Sequence, residues 1–189
     1  MSTEIVKGSI QSVADSRGND IIGAILDAVH IVIVDTSGSM AERDAAYGRT
    51  RSEQAMKELL SLQEQNPGKI LLVEFASEVE VRLDGRLRGD VGARTNLAGA
   101  LVYIYQFVDS RTITVITDGE PDDAERALRV AYSLPPINAV YVGPEDVQSE
   151  GYLFCKRLAS IHGGQAMRSG RAGSFLPEAA KILGLPPPK

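Results

Sequence analysis

The most constraining stretch of this chain is His30-Ile-Val-Ile-Val-Asp35. Four consecutive β-branched apolar residues leave no polar face for a surface helix or a half-exposed strand. The segment therefore reads as a strand buried on both faces, the place of a central strand in a parallel sheet. Such a strand commits the rest of the chain to supplying crossover helices that cover both faces of the sheet.

The remaining sequence has the matching rhythm. Ala55, Met56, Leu59 and Leu60 repeat at helical spacing over 52–65, and Asn66-Pro67-Gly68 ends that run. Residues 69–75 read as a second strand and 79–83 as a short third one. The three residues between them are too few for a parallel crossover, so these two are expected to form an antiparallel hairpin. A loop rich in glycine and arginine leads to Thr95, which starts a second helix carrying Leu97, Ala98, Leu101 and Ile104. Residues 112–118 form a fourth strand. Pro121-Asp122-Asp123 then opens a helix through 134, its acidic first turn suited to the helix dipole. A strand at 138–142, a helix at 149–161, a weak strand at 165–168 and a last helix near 177–183 complete the series. The expected fold class is α/β: a Rossmann-like, doubly wound, mostly parallel six-stranded sheet, with one short antiparallel edge strand and helices on both faces. Residues 1–29 are expected to be a helical or irregular extension packed on the body, 30–184 the domain, and 185–189 a proline-rich tail.

A chain of 189 residues, 43% hydrophobic and 24% charged, is long enough to bury one core without disulfides, and its single cysteine, Cys155, cannot form one internally. Cys155 reads as a core residue. A net charge of −5 argues against nonspecific nucleic-acid binding. The first residues carry no apolar run, and the longest apolar stretch, 21–34, contains Asp27 and His30 and is shorter than the ~20 residues of a membrane span. The expectation is a soluble, cytoplasmic protein that engages neither nucleic acid nor membrane. Arg43, Arg49, Arg51, Arg86 and Arg88 fall in expected loops and read as solvated surface, with a patch for an acidic partner as the alternative.

Doubly wound sheets bind ligands at the carboxyl ends of the strands, where the strand order reverses. The first and fourth strands commonly flank that reversal, and here both end in an aspartate, Asp35 and Asp118. The first continues as Asp35-Thr36-Ser37-Gly38-Ser39, the second helix opens with Thr95-Asn96-Leu97, and the fourth strand ends Thr117-Asp118-Gly119. Taken singly these have plain readings: Ser37 and Ser39 as turn and cap residues, Thr95 as an N-cap, Asp118-Gly119 as a turn. All three, in order and each at a strand end or helix start, resemble the metal-ion-dependent adhesion site of von Willebrand factor A domains. The resemblance spans roughly residues 30–183 in element order, while the motifs occupy three short loops.

That resemblance implies hydroxyl ligands from Ser37, Ser39 and Thr95, and carboxylates from Asp35 and Asp118 that reach the metal directly or through water. The implied cation is one magnesium, or manganese or calcium, per chain. Hard cations of this kind take oxygen ligands and keep several waters. The implied function is a protein-binding module, not an enzyme, in which a partner's glutamate or aspartate completes the coordination. In bacteria such domains often work beside ring-forming ATPases, and elsewhere in adhesion and complex assembly. One departure stands out: many members of that family carry glycines before the threonine, where this chain has Ala93-Arg94.

Enzymatic readings are weaker. Gly-x-Ser-x-Gly is missing around Ser37, and neither the phosphate-binding loop nor the dinucleotide fingerprint occurs. A haloacid-dehalogenase-type phosphatase needs a second aspartate where Ser37 stands. A metal-assisted phosphohydrolase using Asp35 and Asp118 is the alternative retained.

Overall fold

The computed structural model describes residues 5–44, 48–88, 92–108, 111–144 and 149–169. The expected helix near 177–183, the end of the domain at 184 and the tail at 185–189 lie outside them.

Six strands form one sheet in the order β3-β2-β1-β4-β5-β6. β1 (His30–Asp35) lies between β2 (Ile70–Phe75) and β4 (Thr112–Thr117), parallel to both, and every one of its residues is buried. β5 (Ile137–Val142) and β6 (Ala166–Ser169) extend the parallel sheet beyond β4. β3 (Val79–Val81) closes the other edge antiparallel to β2, as the three-residue connection requires. It is shorter than the 79–83 expected, because the chain turns at Gly85, whose φ of 78° favours glycine.

The side-chain period of two sorts β1 between two cores. Ile31 and Ile33 join the larger one, with α4 (Leu97–Ile104), α5 (Ala124–Ala131) and α6 (Glu150–Ser160) packed on it. Val32 and Val34 join the smaller, covered by α3 (Arg51–Gln65) through Ala55 and Leu59. Helices therefore lie on both faces, and the fold is a Rossmann-like α/β sheet. α5 is shorter at both ends than 121–134. Asp123 caps it by accepting the Arg126 amide at 2.9 Å, and Pro135 disfavours helical geometry just before itself.

The N-terminal segment forms two short helices, α1 (Ile10–Ser16) and α2 (Ile21–Leu26). They belong to the body: Ile10, Ala14, Ala24 and Ala28 are buried in the larger core. Backbone bonds from Val6 to Asp84 (3.0 Å) and Gln11 to Leu83 (2.8 Å) tie this segment to the turn after β3. Arg111, entering β4, donates to the carbonyls of Ile25, Phe107 and Ala28 at 2.7–2.8 Å. No helix among the described residues is long and apolar enough to cross a membrane.

Candidate metal site

The strand order reverses between β1 and β4, and both strands leave the sheet at the same edge. Asp35, the last residue of β1, is fully buried. One carboxylate oxygen accepts the Ser37 amide at 2.9 Å, the other the Thr117 hydroxyl at 2.6 Å. Burial, with a smaller contribution from the neighbouring Asp118 charge, outweighs the hydrogen bonds that lower it and pushes the Asp35 carboxyl up to about 6. Beyond Asp35 the chain runs extended at Ser37 and then enters a 3₁₀ turn, Gly38–Ala41. This brings the Ser37 and Ser39 hydroxyls to 3.2 Å from one another, so these two donors form a pair beside Asp35. Thr36 faces away and donates to the Phe75 carbonyl at 3.1 Å, pinning the loop to β2.

Asp118 follows β4 and is also buried. One of its oxygens accepts the Glu120 amide at 3.4 Å and the other a guanidinium nitrogen of Arg51 at 3.2 Å. Gly119 makes the turn at φ 80°, and a Cβ there would run into the Gly151 carbonyl in the first turn of α6. Close backbone packing of this kind fixes where the Asp118 loop sits.

Thr95 is buried and enters from a third loop. Its amide donates to Asp122 at 3.2 Å and its carbonyl accepts the Asp122 amide at 3.1 Å, so it is clamped to the loop that carries Asp118. Asn96 donates from its backbone to the Ala76 carbonyl at 2.9 Å and caps α4 through its side chain, so the helix starts at Leu97 and not at Thr95 as expected. The structure thus gathers the three predicted loops at one edge. It pairs Ser37 with Ser39 and joins Thr95 to the Asp118 loop. The Arg94 that departs from the family pattern is exposed and lines a cavity of about 270 Å³ with Thr95, Asp122 and Arg126.

Two residues of this edge escaped the sequence reading. Thr117 holds Asp35 from β4 and also accepts the Gly119 amide at 3.0 Å, linking the two aspartate loops. The parallel register, which pairs Val34 with Ile116, is what places it there. The second residue is a correction. Arg51 is not a solvated loop arginine: it begins α3, with only 7% of its side chain exposed. It binds Asp44 through two nitrogens and Glu42 at 2.7 Å, besides Asp118. Ion pairing with Arg51 holds the Asp44 carboxyl below its usual range. The clue was a cluster of Glu42, Asp44 and Arg51 within ten residues after the first loop.

Around Arg51 one guanidinium meets three carboxylates, with Asp35 as a fourth beside Asp118. Among the described residues no three His, Cys, Asp or Glu side chains converge as a metal cluster, so the available donor set is two carboxylates plus hydroxyls. Each carboxylate oxygen has two lone pairs, and the contacts above use one each. Hard oxygen donors with surplus negative charge fit a small divalent cation. Cys155 is buried, and burial pushes its thiol up to about 12.

A doubly wound sheet with this strand order and this loop edge has the fold of von Willebrand factor A domains. Among solved structures, the chain is similar to the conserved hypothetical protein BatB from Bacteroides thetaiotaomicron: TM-score 0.64 at 17% identity, over 83% of this chain and 97% of that one. It is also similar to the manganese-loaded TRAP protein of Plasmodium vivax: TM-score 0.57 at 17% identity, over 82% and 72%. The PilB minor pilin of Streptococcus sanguinis gives 0.53 at 14%, over 76% and 57%. At these identities the likeness is one of fold. No protein-family model and no curated protein matches the sequence.

Proposed function

We propose that this chain is a protein-binding module that works through one divalent cation, magnesium or manganese or calcium, at the carboxyl edge of the sheet. The observation that carries this reading is the buried Asp35–Asp118 pair beside the coupled Ser37 and Ser39 hydroxyls, at the strand-order reversal. Asp35, Ser37, Ser39, Thr95 and Asp118 would hold the ion. The cation would supply an electrophilic position, open toward solvent, for an oxygen of another molecule. A glutamate or aspartate of a partner protein has the charge and hardness for it. A ring-forming ATPase is one class of partner to test. The manganese-loaded state of the TRAP structure, which shares this fold, supports the choice of ion class.

The protein's own groups set the rest. Ser37 N–H and Thr117 O–H fix the Asp35 carboxylate, and Thr95 is held by its backbone to Asp122.

Calorimetric titration with manganese chloride tests the reading, with one ion per chain expected. The melting temperature should rise with the metal, since a ligand that binds only the folded state stabilises it. Equal melting temperatures in saturating metal and in chelator would refute it. For the partner step, chelator should abolish capture of a candidate partner, and so should exchange of that partner's key Glu for Gln. Binding that survives both leaves a scaffold, not a metal bridge.

A further inference from the structure

We propose that Arg51 is a built-in rival of the metal, a resident cation that pairs with Asp118 and sets how tightly the site holds its ion. The inference rests on the metal-module reading above and deepens it.

The geometry has two parts of unequal strength. Nε and one terminal nitrogen of Arg51 grip both oxygens of Asp44, the bidentate arrangement that suits a planar guanidinium. The same terminal nitrogen also reaches Glu42 at 2.7 Å. These bonds anchor the group whatever happens at the metal. The remaining terminal nitrogen makes one longer contact, 3.2 Å, to Asp118. An incoming cation that draws on Asp118 therefore meets a guanidinium held in place by other acids, and costs it a single long bond. The anchoring acids sit on the segment just after the Ser37–Ser39 turn, while Arg51 opens α3. One side chain thus joins the Asp35 loop, the Asp118 loop and the helix that covers the smaller core.

Arg51 places a fixed positive charge, 7% exposed, against one of the two carboxylates that would hold the cation. Repulsion between a guanidinium and a divalent ion is strong at such range, because little water screens it. Glu42 and Asp44 offset that repulsion, so the three acids together tune the effective charge facing the ion.

The test is manganese titration of the full chain by calorimetry, with folding checked by melting in chelator. Arg51→Gln should tighten manganese binding about tenfold, the scale expected for removing a nearby charge of like sign. The same variant should melt lower in chelator, since Glu42, Asp44 and Asp118 lose their counter-charge. Arg51→Lys, which keeps the charge, should stay close to wild type in manganese affinity. Asp44→Asn should weaken manganese binding several-fold, because it hands more of the Arg51 charge to Asp118. Unchanged or weaker binding in folded Arg51→Gln would overturn the proposal and leave Arg51 as scaffold. If that variant does not fold, Asp44→Asn decides: unaltered affinity there defeats the idea. Failure of the parent reading looks different, for then the wild-type chain itself takes up no manganese.

Discussion

Each end of the sheet carries an arginine that binds three residues, and the two do so with opposite chemistry. At the amino edge, Arg111 donates to three backbone carbonyls, of Ile25, Ala28 and Phe107. At the carboxyl edge, Arg51 contacts three carboxylates, of Glu42, Asp44 and Asp118. Neutral acceptors leave the Arg111 charge in place and satisfy its donors, so that edge is a closed staple. Three acids exceed the charge of Arg51, and Asp35 adds to the excess, so the other edge holds negative charge in reserve. Under the proposed function, the amino edge serves stability alone, while the carboxyl edge combines stability with binding.

Substitutions can break this division. The largest expected effect is at the carboxyl edge: Asp35→Ala should reduce manganese affinity about a thousandfold, or ~4 kcal/mol, in a domain that still folds. Calorimetry reads the affinity and circular dichroism the fold, and undiminished affinity would remove Asp35 from the ligand set. Of similar size, Arg111→Ala should cost about 4.5 kcal/mol of stability, from three charge-assisted bonds at roughly 1.5 kcal/mol each. Its manganese affinity should be that of the wild type. A change in that affinity, measured on the folded fraction, would mean the two ends are coupled.

The pH dependence sharpens the contrast further. Asp35 binds its proton more tightly in the folded chain, so in chelator stability should fall as pH rises from 3.8 through about 6. The shift of about 2 units corresponds to ~3 kcal/mol. Urea titrations across that window should show the slope in wild type and lose it in Asp35→Asn. His30, at the amino end of β1 and hydrogen-bonded to Thr112, goes the other way. Burial lowers its affinity for a proton, so its contribution to stability is present above pH 6.5 and is lost as pH falls below that value. This is expected to be the smaller slope, and His30→Gln should remove it without touching the Asp35 window.

The sequence made the frame legible because the frame is local. The Ile31–Val34 run announces a buried strand, and the three-residue gap before Val79 forces an antiparallel edge. Both can be read from neighbouring residues. The loops bearing Asp35, Thr95 and Asp118 could likewise be ordered along the sheet from strand ends alone. What stayed hidden was long-range: Thr117 reaches Asp35 only through strand register, and Arg51 reaches Asp118 across 67 residues. Glu42 and Asp44 lie near Arg51 in sequence, but the third acid, Asp118, is brought in by the fold, and a run of arginines near loops does not show which of them is buried. The short N-terminal helices were expected, yet their share of the main core was not, because Gly18 and Asn19 interrupt the apolar pattern there.

The reversal of strand order also has a consequence for how the chain is made. β1, β2 and β3 leave the ribosome in order and can pair at once, but β1 keeps its other edge bare until β4 arrives, 82 residues after His30. An unpaired strand of Ile and Val with free backbone groups is a template for unwanted partners. The nascent chain is therefore most exposed to aggregation between synthesis of β1 and docking of β4. Asp35 and Asp118 meet only when that gap closes, so no cation bridging the two can assist folding before the last central strand is in place.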